Sequence, residues 1–102
     1  MEIYRFSADF PVEERYGVTG QLRKAAVSVG ANLAEGSRRV SPVDKARVIN
    51  IAESEGSEAT SLLDLSERLS FGDPAICREL MRRYDELGAQ MEAFRQRVRG
   101  RA

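Results

Sequence analysis

The stretch DPAICRELMRRYDELGAQMEAFRQRV, residues 73–98, decides the fold. It opens as a helix start: the Asp73 carboxylate is placed to accept from the free amides of a first turn. Pro74 suits the first helical position, where its missing N–H would have had no partner. From there Ile76, Leu80, Tyr84, Leu87, Met91, Phe94 and Val98 recur at steps of three and four. From Leu80 on, the alternation of fours and threes makes a heptad seam, which draws a narrow apolar stripe along one side of a helix and predicts left-handed packing against its neighbours. Gly88 interrupts the stripe at a cost of about 1 kcal/mol relative to alanine, which the apolar residues on either side offset.

Working outward, Ser41-Pro42-Val43-Asp44 repeats the combination of capping side chain, first-turn proline and acid at the positive helix end. The helix it starts is predicted to run to about Ser70, with Val48, Ala52, Gly56, Ala59, Leu62, Leu63, Ser66 and Leu69 on one face and Ile49 and Ile51 flanking it. Ala52, Gly56 and Ala59 are small, so a neighbouring helix is expected to approach closely there. An earlier helix is predicted from Thr19, as cap, through Leu22, Ala25, Ala26, Val29 and Leu33 to a stop at Gly36. Gly30 lies inside it, and Asn32 and Glu35 fall near its buried side, where polar groups need partners. A structural role, satisfying backbone groups and a hydroxyl such as Ser57 on a neighbouring helix, outweighs a role lining a pore or pocket in an oligomer. Phe10-Pro11 marks a boundary, because a residue before proline is pushed out of helical angles. Only Glu2 to Asp9 remain for a first helix. The reading is one all-α domain over residues 1–102, an up-and-down antiparallel four-helix bundle with a shortened first helix.

Composition sets the class. With 42% hydrophobic and 31% charged residues the chain is globular rather than disordered, and no apolar run approaches the roughly 18 residues of a membrane span. Met1 to Phe10 carries Glu2, Arg5 and Asp9 and lacks the basic-then-apolar order of a secretory signal, so a cytoplasmic protein with no membrane partner is expected. Histidine is absent. That removes the usual catalytic base, the triads built on it and the Glu-x-x-His pairs that hold two metals inside many helix bundles. Cys77, the one cysteine, has no internal disulfide partner, makes no zinc site alone, and beside Ile76 and Leu80 reads as an inert thiol. The expectation is a protein without cofactor, metal or catalytic residue, and not an enzyme. Glu55 and Glu58, and Asp64 and Glu67, do lie three apart, the spacing magnesium-dependent helical pyrophosphatases use. Such enzymes gather pairs from facing helices, and Glu79 and Asp85 supply no matching pattern. A carboxylate- and magnesium-dependent nucleotide hydrolase is therefore the weakest reading, and solvation or pairing with Lys and Arg the stronger one.

Sixteen basic residues balance sixteen acidic ones, so no global field draws the chain to nucleic acid. The distribution is uneven. Ser41 to Asp73 is acidic, whereas Arg95, Arg97, Arg99 and Arg101 form a basic end. These four, with Arg38 and Arg39, are the candidates for contact with RNA or DNA phosphates, a contact that would weaken steeply with salt. Among the aromatics Tyr4, Phe6, Tyr16, Phe71, Tyr84 and Phe94, helical spacing favours core roles over base stacking for most.

The stretch FPVEERYGVTGQLRKAAVSVGANLAEG, residues 10–36, resembles a family of short bacterial proteins known as four helix bundle proteins, or proteins of intervening sequences in 23S ribosomal RNA genes. Asn32, Ala34, Glu35 and Gly36, close together, carry the match, and IAESEGS at residues 51–57 extends it into the third helix. The resemblance implies an up-and-down four-helix bundle that assembles as a ring-like homopentamer, with Asn32, Glu35 and Gly36 in structural roles. It also implies a link to RNA, since a relative, the accessory protein of diversity-generating retroelements, is a strongly basic pentamer that binds nucleic acid and a reverse transcriptase. The family's first helix has about five turns, and this chain enters at what looks like its end, Ile3-Tyr4-Arg5-Phe6. The resemblance therefore implies either a reading frame that starts upstream of Met1 or a bundle completed by another chain, since an uncovered apolar groove is sticky. The function expected is a homo-oligomeric scaffold or interaction protein associated with RNA. The runner-up is a direct nucleic-acid-binding accessory protein.

Overall fold

The computed structural model describes residues 2–100. Four α-helices follow in order, α1 (Glu2–Ser7), α2 (Val18–Arg38), α3 (Pro42–Arg68) and α4 (Pro74–Arg99), with a 3-10 turn, Val12–Glu14, between the first two. No strand occurs among the described residues. At 1.5 Å per residue the 27 residues of α3 span about 40 Å, most of the molecule's 46 Å long axis. Connections as short as residues 39–41 and 69–73 leave consecutive helices antiparallel. The central helix is α3, with α2 and α4 packed along it. Among the described residues no Cα of α2 comes within 8 Å of one in α4, and α1 bridges the two at one end.

Two helix starts form as their sequences dictate. Ser41 Oγ accepts from the Asp44 amide at 3.4 Å, and Asp73 Oδ1 accepts from Ala75 N at 2.8 Å and Ile76 N at 3.2 Å. The start of α2 differs from expectation. Thr19 lies inside the first turn, buried, its hydroxyl without a hydrogen-bond partner among the described residues. The cap position is Gly17, which has no side chain to offer; the 3-10 turn instead brings the Glu14 carboxylate back to accept from Val18 N at 3.4 Å. The other end of α2 also departs, running two residues past Gly36. Gly36 serves proximity rather than termination: a Cβ there would meet Ile49 Cδ1 at 2.7 Å, so its missing side chain is what lets α2 close onto α3.

The core has two parts. Ile3, Phe6 and Phe10 cover Leu22, Ala25, Ala26, Ala59, Leu63, Cys77 and Leu80 at the α1 end, while Ile49, Ala52 and Met91 form a smaller cluster toward the other. Ala52, Gly56 and Ala59 are buried, and helices meet along this small-residue face as its pattern predicts. Ile76 does not join the α4 stripe; it is 49% exposed, and Cys77 takes the inward position. The reason is register: Cys77 lies seven residues before Tyr84 and continues the alternation of threes and fours inward toward α3, whereas Ile76 falls one residue, about 100°, off that line. Leu69 is 45% exposed because α3 ends at Arg68, and Ser70, at φ 58°, turns the chain away. Tyr16 and Tyr4 are also outside the core, at 88% and 42% exposure.

Polar contacts fasten α1 on both sides. Arg23 Nε of α2 donates to Ser7 Oγ at 2.9 Å, and its guanidinium lies over the Tyr4 ring, 4.6 Å from the centroid. On the other side Arg83 of α4 pairs with Glu2.

Cys77 is fully buried, its thiol donating to the Leu63 carbonyl at 3.2 Å. Burial, reinforced by Glu67 and Asp64, pushes its pKa up, so the reactive thiolate is disfavoured twice, by access and by ionisation. A thiol reagent such as Ellman's is expected to leave the native chain untouched at neutral pH and to titrate one thiol in denaturant. Immediate reaction of the native protein would contradict the packing described.

Candidate functional site

Because α2 and α4 each lean on α3 and α1 is only six residues long, the wedge between α2 and α4 is covered at one end and open along the rest. The open part begins at the first turn of α1. A concavity of about 470 Å³ is lined there by Glu2, Ile3, Val29, Leu33, Tyr84 and Leu87, among others. It runs on into a second, about 240 Å³, that shares Leu33 and Leu87 and reaches Ile49, Met91 and Phe94. The walls are apolar. Leu33, Tyr84, Leu87 and Phe94 are half-buried, which is the state of a seam without its facing helix. Gly30 faces this space: a Cβ at Gly30 would meet nothing within 4 Å, so no neighbour in this chain explains a helix-weakening glycine there.

The mouth of the groove beside α1 is fixed by charge. Glu79 accepts from Arg82 Nη2 at 2.6 Å and from Arg83 Nε at 3.2 Å, and Arg83 reaches Glu2. The Arg82 hydrogen bond, with help from Arg83, holds the Glu79 carboxyl down at about 2, so these pairs stay charged at any physiological pH.

The residues singled out in the sequence scatter over the molecule. Asn32 is half-buried, and its Nδ2 donates to the Ser28 carbonyl of its own helix at 2.8 Å, not to Ser57, which is exposed. Glu35 is exposed and pairs with Arg39 at 2.7 Å. Both expectations of cross-helix partners fail for one reason: on the observed α2 wheel these positions flank the buried stripe of Leu22, Ala25, Ala26 and Val29 and find partners one turn away. Arg38 is exposed, whereas Arg39 reaches Asp44 at 4.0 Å as well as Glu35. Arg97 lies over the Phe94 ring on the groove side, 5.9 Å from its centroid. Arg95 and Arg99 line a different concavity, between α3 and α4, together with Arg47 and Asn50. Arg101 lies outside the described residues. The five described arginines therefore do not form one basic face.

Arg47 and Asn50 escape the sequence reading. Their only sign is a spacing of three on the α3 face that carries Val43 and Ala46, which acquires meaning once the register of α3 against Arg95 and Arg99, four apart on α4, is known. Of the acid pairs, Asp64 bonds Arg68 at 3.0 Å and Glu67 bonds Arg78 at 3.0 Å. Among the described residues no three His, Cys, Asp or Glu side chains come together as a metal site, and no helix is long and apolar enough to cross a membrane.

No curated protein matches the chain. A family model does: the one described as 23S rRNA-intervening sequence protein matches residues 1–93, through α1, α2, α3 and most of α4. That span covers nearly the whole chain and includes both residues 10–36 and residues 51–57, the two stretches that carry the resemblance. The chain belongs to the 23S rRNA-intervening sequence protein family.

Proposed function

We propose that this protein is a non-enzymatic, self-assembling helical scaffold of the cytoplasm, in which the open groove between α2 and α4 receives a second copy of the chain. The observation that carries the reading is the groove itself, an apolar seam left half-buried beyond the end of α1. Exposed apolar surface of this kind on an ordered helix pair is a docking face, because covering it returns roughly 25 cal/mol for each Å² removed from water. A second copy fits better than a strongly charged partner. The chain carries no net charge, so its copies do not repel, and the groove floor offers no cluster of either sign for an acidic or basic ligand to recognise. Gly30 supports it further by letting the backbone of an incoming helix approach α2 closely. The absence of histidine and the burial of Cys77 speak for binding rather than catalysis. The resemblance to the four helix bundle proteins makes a ring of five the assembly to look for.

Light scattering on the intact chain, with and without Leu87→Glu, tests this. The unmodified protein is expected to show a mass well above the 11.4 kDa of one chain, as an assembly of two or more copies. Leu87→Glu places a carboxylate on the groove wall and is expected to shift the assembly to monomer with helical circular dichroism retained. Unchanged assembly in that variant, or a monomer in the unmodified chain, would overturn the reading.

A further inference from the structure

The notch between α3 and α4 at the Arg99 end gathers three guanidinium groups and one carboxamide, from Arg47, Arg95, Arg99 and Asn50, around a concavity of about 360 Å³. We infer that it binds a phosphate group, with Arg47, Arg95 and Arg99 as the donors. The inference does not depend on self-assembly, since the notch lies outside the groove between α2 and α4.

The arrangement follows from helix geometry. Arg95 and Arg99 are one turn apart on α4, Arg47 and Asn50 one turn apart on α3, and the antiparallel packing of these helices sets the two pairs across from each other. Arg95 is held in place: its Nε donates to Glu53 Oε1 at 2.6 Å, with both side chains about four-fifths buried. That bond uses one edge of a group with five N–H donors, so a pre-oriented guanidinium retains donors for another anion. Arg47 is loosely tied, its Nε 3.6 Å from an Asp44 carboxylate that Arg39 shares at 4.0 Å. Arg99 makes no ion pair among the described residues. Glu53 and the more distant Glu92 temper the positive charge at Arg95, so what the notch offers is a set of converging donors rather than a strong field. Planar guanidinium forks match the tetrahedral oxygens of phosphate two at a time, and Asn50 adds a neutral donor. The Val43 and Ala46 side supplies an apolar wall, and the volume admits a phosphate with part of the molecule that bears it.

The test uses the full-length chain and follows the arginine Nε–Hε signals by NMR during titration with inorganic phosphate, then with a ten-nucleotide single-stranded RNA. Saturable shifts are expected at Arg95 and Arg99 with Arg5 unmoved. The Arg47→Gln/Arg99→Gln double variant, which alters two solvent-facing side chains, is expected to keep its helical spectrum and to weaken phosphate binding at least tenfold. Shifts with both probes, the RNA response falling as salt rises, assign the phosphate to a polynucleotide backbone. Shifts with phosphate alone assign it to a small phosphorylated molecule, and either result upholds the notch. Shifts at Arg95 and Arg99 no larger than at Arg5, or binding undiminished in the double variant, would overturn it.

Discussion

Replacing Leu63 with alanine is expected to lower the stability of the folded chain by about 3 kcal/mol, within the range of 2–5 kcal/mol seen when large aliphatic side chains are removed from closed cores. Leu63 is fully buried on α3 where α1, α2 and α4 all contribute to the core. The core it belongs to includes Ala25, Ala26 and Ala59, whose short side chains have nothing to swing into the space left behind. The hole therefore stays open, and the cavity adds to the lost transfer free energy. Urea unfolding followed by helical circular dichroism, at one fixed chain concentration because assembly contributes to apparent stability, measures the change. A loss below about 1 kcal/mol would mean that Leu63 is not enclosed as described.

The second large effect is expected at Gly72, in the connection between α3 and α4. Its φ of 75° is one that residues with a side chain adopt at a cost of about 1 kcal/mol or more. A Cβ there would also meet Phe6 at 2.6 Å and Phe10 at 3.0 Å. Those two rings stack edge to face, 5.2 Å between centroids, and are what seats α1 and the segment after it on the bundle. Gly72→Ala is therefore expected to cost about 2–3 kcal/mol, strain and displaced rings together. Its signature separates it from Leu63→Ala: hydrogen exchange should rise first at the Ala8 and Phe10 amides, bonded to Arg5 and Ser7 carbonyls, as α1 loosens, while α3 and α4 stay protected. Uniformly raised exchange, or none, would contradict this account of Gly72.

The fold was largely legible because two of the three long helices, α3 and α4, announce themselves twice. Ser41-Pro42 and Asp73-Pro74 mark starts through local hydrogen bonding, and the apolar stripes that follow mark the faces to be buried. The errors fall where tertiary contacts override local signals. Thr19 has a capping side chain, but the helix starts before it at Val18, whose amide donates to the Glu14 carboxylate delivered by the preceding turn. Gly36 reads as a stop, yet its lack of a side chain is used for contact with Ile49. Ile76 invites the inward position by its hydrophobicity, but Cys77, seven residues before Tyr84, is the one that continues the heptad register and is buried.

Much less of the candidate site was legible. The shortened first helix foretold an open groove, although which residues would wall it depends on how α2 and α4 splay from α3. The basic end offered Arg95 and Arg99, but their companions Arg47 and Asn50 lie within a stretch that reads as acidic and are brought to them only by the packing of α3 against α4. Arg97, two residues from each, turns to the other side over Phe94, as a rotation of about 100° per residue requires.

The proposed role rests on another chain entering the groove, and NMR on a mixture of isotope-labelled and unlabelled chains reads that event residue by residue. Isotope-filtered contacts between chains are expected at the Leu33 and Leu87 methyl groups and the Phe94 ring, fading as the sample is diluted. Contacts at these three residues that arise only within one chain, at every concentration, would contradict the account.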